Sequence, residues 1–328
     1  MKTKTLCIFS IVSLSLTLAR LVACDLCSCA VPNHPWDPRA GVFFGATEQF
    51  TSFDTIQVDG HDIGNPAGQF MNSSITQLYI GYNFVPSLGL QVNVPLIYRS
   101  FRRTTESGIE SGNVSGLSDI SLLAHYAPII RESKDFTVLA RIRAGVKAPT
   151  GNTDRLGEEA EESHGHEDEH EREEESGLPA SAVHGHDLTL GSGSVDAIVG
   201  GSFYLRYKRV FLTGDVQYAI RTDGAFDYRF ANDFSFSIGP AVYLIDRPTG
   251  TLAIHAIVSG ETKGKDEFRG APVEDTAATY VYLGPRISAT LGNRFSCELE
   301  LDVPVSRENS ALQIVPDYRI RFALSWAF

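Results

Sequence analysis

Tyr318-Arg-Ile-Arg-Phe-Ala-Leu-Ser-Trp-Ala-Phe328 closes the chain, and its alternation decides the fold. Tyr318, Ile320, Phe322, Leu324, Trp326 and Phe328 fall on one face, and Arg319, Arg321, Ala323, Ser325 and Ala327 on the other. A period of two belongs to a β-strand, whose successive side chains point to opposite faces. The segment before it repeats the pattern: Phe295, Cys297, Leu299, Leu301 and Val303 oppose Glu298, Glu300 and Asp302. One wholly apolar face backed by a charged one fits a membrane barrel, with apolar residues in lipid and charges in a wet lumen. A soluble β-sandwich or lipocalin-like barrel alternates too, with its faces reversed, so periodicity by itself leaves both open.

Working outward, similar runs bounded by turn residues predict strands near 40-50, 74-84, 88-99, 117-127, 136-147, 194-206, 210-221, 232-245, 251-260, 279-290, 295-304 and 318-328. The number is even, as in bacterial barrels. Connections after even strands are short, as at Val85-Pro86-Ser87 and Tyr207-Lys208-Arg209; those after odd strands are mostly long, as at 100-115, 148-190 and 261-278. Short periplasmic turns alternating with longer outer loops place both termini in the periplasm and the 148-190 insertion outside the cell. Aromatics near strand ends, Tyr82, Phe84, Tyr98, Phe101, Tyr126, Trp326 and Phe328, suit interface girdles. The expected fold class is therefore all-β, a closed antiparallel transmembrane β-barrel of about twelve strands in the bacterial outer membrane.

The beginning of the chain agrees with export. Met1-Lys-Thr-Lys precedes an apolar run from Leu6 to Leu18 and then Leu21-Val22-Ala23-Cys24, which reads as a signal peptide over 1-23. No later run is long and apolar enough for a membrane helix, so lipid would have to be crossed by strands. A periplasmic Cys-rich segment, 24-38, and the barrel, 39-328, follow. A net charge of -12 argues against nucleic acid as a partner, although much of it sits in one loop.

Three candidate sites stand out. The first is the acidic loop 152-190, which holds five of the nine histidines: His164, His166, His170, His184 and His186. Imidazole and carboxylate together suit Zn or Cu, the candidate cofactors; the alternative is a solvated acidic loop. The second is Cys24-Asp-Leu-Cys27-Ser-Cys29. Cys27 and Cys29 suit a soft metal or a disulfide, and Cys24 either a lipidated N-terminus or the residue after ordinary cleavage. The third is the lumen, where Arg99, Arg141, Arg143, Asp215, Arg286, Glu298, Glu300, Asp302, Arg319 and Arg321 are expected to line a pore. Glu298, Glu300, Arg319 and Arg321 read mainly as a cross-strand ion-pair ladder. Arg141 and Arg143, with no carboxylate nearby in sequence, are the better candidates for solute contact. No nucleophile elbow, zinc-protease or phosphate-loop motif stands in context, and His125 and His255 are isolated inward histidines, so no enzyme is expected.

Two resemblances add to this. The last strand, with Tyr318, Phe322, Trp326 and the final Phe328, looks like the signal read by the barrel-assembly machinery. Gly116-Leu-Ser-Asp119-Ile-Ser-Leu, Gly145-Val-Lys-Ala-Pro149-Thr-Gly151-Asn and Gly191-Ser-Gly-Ser-Val-Asp196 are together similar to the outer-membrane "meta-pathway of phenol degradation" family of transporters, over roughly 40 to 328. That resemblance implies a small barrel passing small, often apolar, molecules, and the His-rich insertion departs from its pattern. The expected function is a channel for small solutes whose outer loop concentrates metal cations; the alternative is a metal-binding or sensing protein with a plugged barrel.

Overall fold

A computed structural model describes residues 40–105, 107–158, 179–292 and 294–328. The expected signal peptide, Cys24, Cys27, Cys29, His164, His166 and His170 lie outside these residues.

Twelve long strands form one closed antiparallel barrel. They are β1 Gly41–Val58, β2 Phe70–Val85, β3 Leu88–Thr105, β4 Ser121–Glu132, β5 Phe136–Lys147, β6 Asp196–Tyr207, β7 Val210–Ile220, β8 Asp233–Arg247, β9 Gly250–Lys263, β10 Ala278–Leu291, β11 Phe295–Asn309 and β12 Leu312–Ala327. Each pairs with the next, and β12 returns to β1 from Phe43↔Ala327 to Val58↔Leu312. Closure gives each of these twelve strands a neighbour on both sides, which lipid requires because it offers backbone groups no other partner. No described helix is long and apolar enough to cross a membrane.

The faces separate as the alternation requires. Ile80, Ile287 and Leu299 point outward, 55%, 49% and 51% exposed, while Gln77, Arg99 and Glu300 are buried in the interior. Outward Tyr82, Phe84, Tyr126, Phe136, Tyr207 and Phe328 ring the end that carries the short turns. One carboxylate breaks the partition. Glu48 shares the outward face of Phe44, and Ser74 and Thr76 of β2 donate their hydroxyls to it.

Several strands run further than the apolar alternation indicates. The expected outer loop at 100-115 is instead the end of β3 and a return strand, Gly108–Leu117, paired with it from Leu96↔Leu117 to Thr105↔Gly108. The gap expected between the eleventh and twelfth strands is a hairpin turning at Ser310 and Ala311, the latter with φ of 50°. Ser306-Arg-Glu-Asn309 and Gln313 put polar groups on both faces there. Above the lipid a wall has water on its outside, so the apolar stripe ends while the hydrogen-bonded ladder continues.

β3 is paired in two pieces, with Gly108–Leu117 above and β4 below. The break at Ser118, Asp119 and Ile120 coincides with Gly116-Leu-Ser-Asp119. It turns Asp119, 5% exposed, into the barrel mouth.

Candidate functional site

The site begins where three glycine-rich strand ends meet. Lys147, the last residue of β5, places its ammonium 2.5 Å from Asp119 Oδ2 and 2.8 Å from Oδ2 of Asp196, the first residue of β6. Arg221, just past β7, donates to Asp196 at 2.9 Å and also pairs with Asp233 at the start of β8. Five charged side chains from five consecutive staves thus form one continuous chain, each under a tenth exposed. Burial of the Asp119 carboxyl opposes its ionisation. The charge and hydrogen bond of Lys147, with backbone donors from Ser192 and Gly151, outweigh that and hold it below the usual carboxylate range.

This chain of charges also grips the long β5–β6 connection. Gly151 N donates to Asp119 Oδ1 at 2.9 Å, and the backbone N and the Oγ of Ser192 donate to Oδ2 at 3.0 and 2.8 Å. The stem is narrow: Leu190 N and Gly191 N both donate to Asn152 O, at 3.2 and 2.9 Å. Beyond it, residues 179–190 fold down into the mouth rather than out into solution. Val183 and Leu188 are 0% exposed, packed with Phe53, Ile56, Met71 and Phe101 of β1, β2 and β3. Leu190 sits against Ile75 and Ile97. Burying side chains of this size stabilises the insert by about 1.5–3 kcal/mol each. Polar contacts fix its direction. Arg99, fully buried, donates to Thr189 O at 2.6 Å; Gln69 bonds both Ala180 O and Ala182 N; and Ile314 N of β12 donates to Ala182 O at 3.1 Å.

His184 and His186 lie in this insert, at a short helical turn Gly185–Leu188. The alternative of a solvated loop does not hold for this end of the segment: His186 is 2% exposed, stacked against His184 at 5.5 Å between ring centroids and on Tyr228 at 6.3 Å. The apolar residues that flank them, Ala182-Val183 and Leu188, draw this end of the acidic segment inside.

The interior charges below are paired across strands. Arg143 grips Asp215 of β7 with two nitrogens, at 2.6 and 2.7 Å. No carboxylate lies near Arg143 in sequence, and the one it meets is 72 residues away. The partner is two strands away, and the intervening Gly200 clears the path, since a Cβ there would stand 2.8 Å from Arg143 Nε. Arg141, two residues earlier on the same face, is half-buried. Glu300 joins Arg286 at 2.7 Å and Arg321 at 3.0 Å, and Arg321 also binds Asp302. Arg319 reaches past its neighbours to Glu261 of β9, with its guanidinium 4.4 Å from the Tyr282 ring centroid. Glu298, half-buried, lies in register between Ser288 and Ala323. His125 and His255 are kept apart, hydrogen-bonded at 2.9 Å to Asn83 and to Ser288. Towards the short-turn end the inner wall becomes aromatic: Phe211 packs 4.5 Å from Tyr243 and 5.1 Å from His255, and Tyr204 and Tyr243 share a 2.9 Å hydrogen bond.

Asp119, Lys147, Asp196, Arg221 and Asp233, which make this network, were not among the residues singled out in the sequence, although Asp119, Lys147 and Asp196 stand inside the quoted motifs. The available signal was a charge two or three residues after a strand-end glycine in each of three segments. Asp275, far away in sequence, gave no signal that it would meet His184.

A closed, twelve-stranded antiparallel barrel with an apolar exterior and an ion-paired interior is an outer-membrane β-barrel. An outer membrane channel from Pseudomonas putida F1 has a similar fold, with a TM-score of 0.59 and 16% identity over 91% of this chain and 100% of that one. The transport unit of the autotransporter AIDA-I from Escherichia coli, at 0.47, is 9% identical over 92% and 95% of the two chains. A FadL homologue from Pseudomonas aeruginosa, at 0.39, is 9% identical over 88% and 90%. No protein-family model and no curated protein sequence matches this chain.

Proposed function

We propose that this protein is an outer-membrane channel for small solutes, held shut by the insert in its mouth. One observation carries the reading: the polar, ion-paired interior is capped by a segment whose entry and exit meet at Asn152 and Gly191, so the cap is separable from the wall. Charged lumen groups tune which solutes pass such barrels. Arg141, Arg143, Asp215, Arg286, Glu298, Glu300, Asp302, Arg319 and Arg321 are the groups proposed to do so here. The aromatic wall around Phe211 favours solutes with apolar or ring portions, in keeping with the resemblance to the phenol-degradation transporters. The acidic stretch bearing His164, His166 and His170 is proposed to raise the local cation concentration by its charge alone. The outward aromatics Tyr318, Phe322, Trp326 and Phe328 are the proposed contact for barrel assembly.

Excision of 154–188, joining the stem through a short Gly-Ser turn, tests the channel. In planar bilayers the excised form is expected to conduct at least several-fold more than the full chain, and its liposomes to swell faster in small sugars. Silence of both forms in both assays would end the proposal.

A further inference from the structure

We propose that His184, His186 and Asp187 of the insert, together with Asp275 of the β9–β10 connection, bind a zinc-like divalent cation that staples the insert to the rim of the barrel. One potential ligand atom from each of His184, His186 and Asp187 lies within 4.8 Å of the others. His184 Nδ1 is 3.2 Å from Asp275 Oδ2, and His186 Nε2 is 3.3 Å from Asp187 Oδ1. Donors about 2.0–2.1 Å from a tetrahedral zinc ion stand about 3.3 Å from one another. Two edges of that tetrahedron are therefore in place, one within the insert and one bridging it to the wall.

The hydrogen bonding of the donors fits. His184 Nδ1 is buried and makes no hydrogen bond among the described residues, its distance to Asp275 notwithstanding. Asp187 commits Oδ2 to the His184 backbone N at 2.9 Å, which orients the carboxylate and leaves Oδ1 toward His186. Stacking of His186 between His184 and Tyr228 fixes both rings, so little ordering entropy remains to be lost on binding. Lys263 lines the same cavity as His186, Asp187 and Thr276, but its ammonium is neutralised by Asp266 at 2.6 Å. Two imidazoles and two carboxylates select borderline cations such as zinc over magnesium or calcium.

The metal site stands on this geometry alone; its effect on passage rests on the channel reading. The test uses the full chain in detergent carrying His164→Gln, His166→Gln, His170→Gln, Cys27→Ser and Cys29→Ser, which removes the other candidate ligands. Calorimetry is expected to show one equivalent of zinc, cobalt(II) to give the visible bands of tetrahedral nitrogen and oxygen ligation, and magnesium to give no heat. Adding His184→Gln or His186→Gln should weaken zinc binding at least 100-fold, and Asp275→Asn at least 10-fold. Absence of stoichiometric zinc, or zinc binding indifferent to both histidine variants, would leave a plain imidazole–carboxylate contact and overturn the site. Should a variant not fold, as read by heat-modifiable mobility, zinc protection of His184 and His186 from diethyl pyrocarbonate in the unsubstituted chain replaces it, and unprotected histidines give the same refutation. In bilayers, zinc should lower and a chelator restore the opening frequency of the full chain. Stoichiometric zinc with no change in opening, in a protein whose excised form conducts, would refute the staple and spare the channel; no conductance from either form would refute the channel and spare the metal site.

Discussion

Lys147→Met is expected to cost the folded barrel about 3–5 kcal/mol and to release its mouth. Removing one member of a buried ionic cluster leaves the others uncompensated, and that range is what such single deletions cost. Here Asp119 and Asp196, both 5% exposed or less, would lose their shared ammonium, and the stem residues Gly151 and Ser192 would be held by a carboxylate that prefers to take up a proton. The loss should appear in urea unfolding from lipid vesicles and as frequent openings in planar bilayers. Asp119→Asn placed on top of Lys147→Met should recover much of the stability, because the pair is then removed together; two simply additive losses would show that the two side chains do not act as one unit. The sign of the pH effect follows from the lowered Asp119 pKa. A carboxylate held below its ordinary value of about 3.9 contributes fully above that value and loses its contribution as pH falls below it. The Asp119 contact should therefore hold the mouth closed without change from pH 8 to pH 5 and release it only in acid below about pH 4. Opening between pH 8 and pH 5 would contradict this placement of Asp119.

Ile287→Arg carries the second large effect, an expected loss of about 2–4 kcal/mol, the cost of a cation facing the middle of the lipid. Ile287 lies in an outward row in register with Ile254 and Leu299, which continues to Phe322. Ile287→Leu, a volume-conserving change, should cost less than about 1.5 kcal/mol. Unfolding from vesicles of defined acyl length measures both, and equal stabilities would mean that this face does not meet lipid.

The wall was legible in the sequence because its two environments are chemically opposed. Phe322 and Leu299 belong in lipid, while Arg321 and Glu300 belong away from it, so a two-residue period appears wherever the strand crosses the membrane. The same logic fails above the lipid, where Arg307 and Asn309 continue β11 with no apolar stripe to mark it. Glu48 is a second failure, since a carboxylate on the outer face looks like an inward residue until Ser74 and Thr76 are seen to bond it. The site was less legible for a different reason. Lys147 and Arg221 are separated by 74 positions in the chain numbering, yet share Asp196. Sequence shows Asp119, Lys147 and Asp196 each within three residues of a glycine, but not that five staves bring five charges together. The inward turn of the insert was signalled only by Ala182, Val183 and Leu188, a short apolar patch beside a long acidic run that dominates the composition.

The seam between β1 and β12 has a consequence for how this molecule comes into being. This wall does not close without its last stave: with it absent, β1 and β11 would each present a full row of unpaired amides and carbonyls, ready to zip onto any other extended chain. Because the two partners of the seam are also the most distant in sequence, joining them closes the longest loop in the barrel. A copy clipped before Leu312 should therefore behave as an adhesive ribbon in the periplasm, recovered in aggregates rather than as a leaky hole in the envelope.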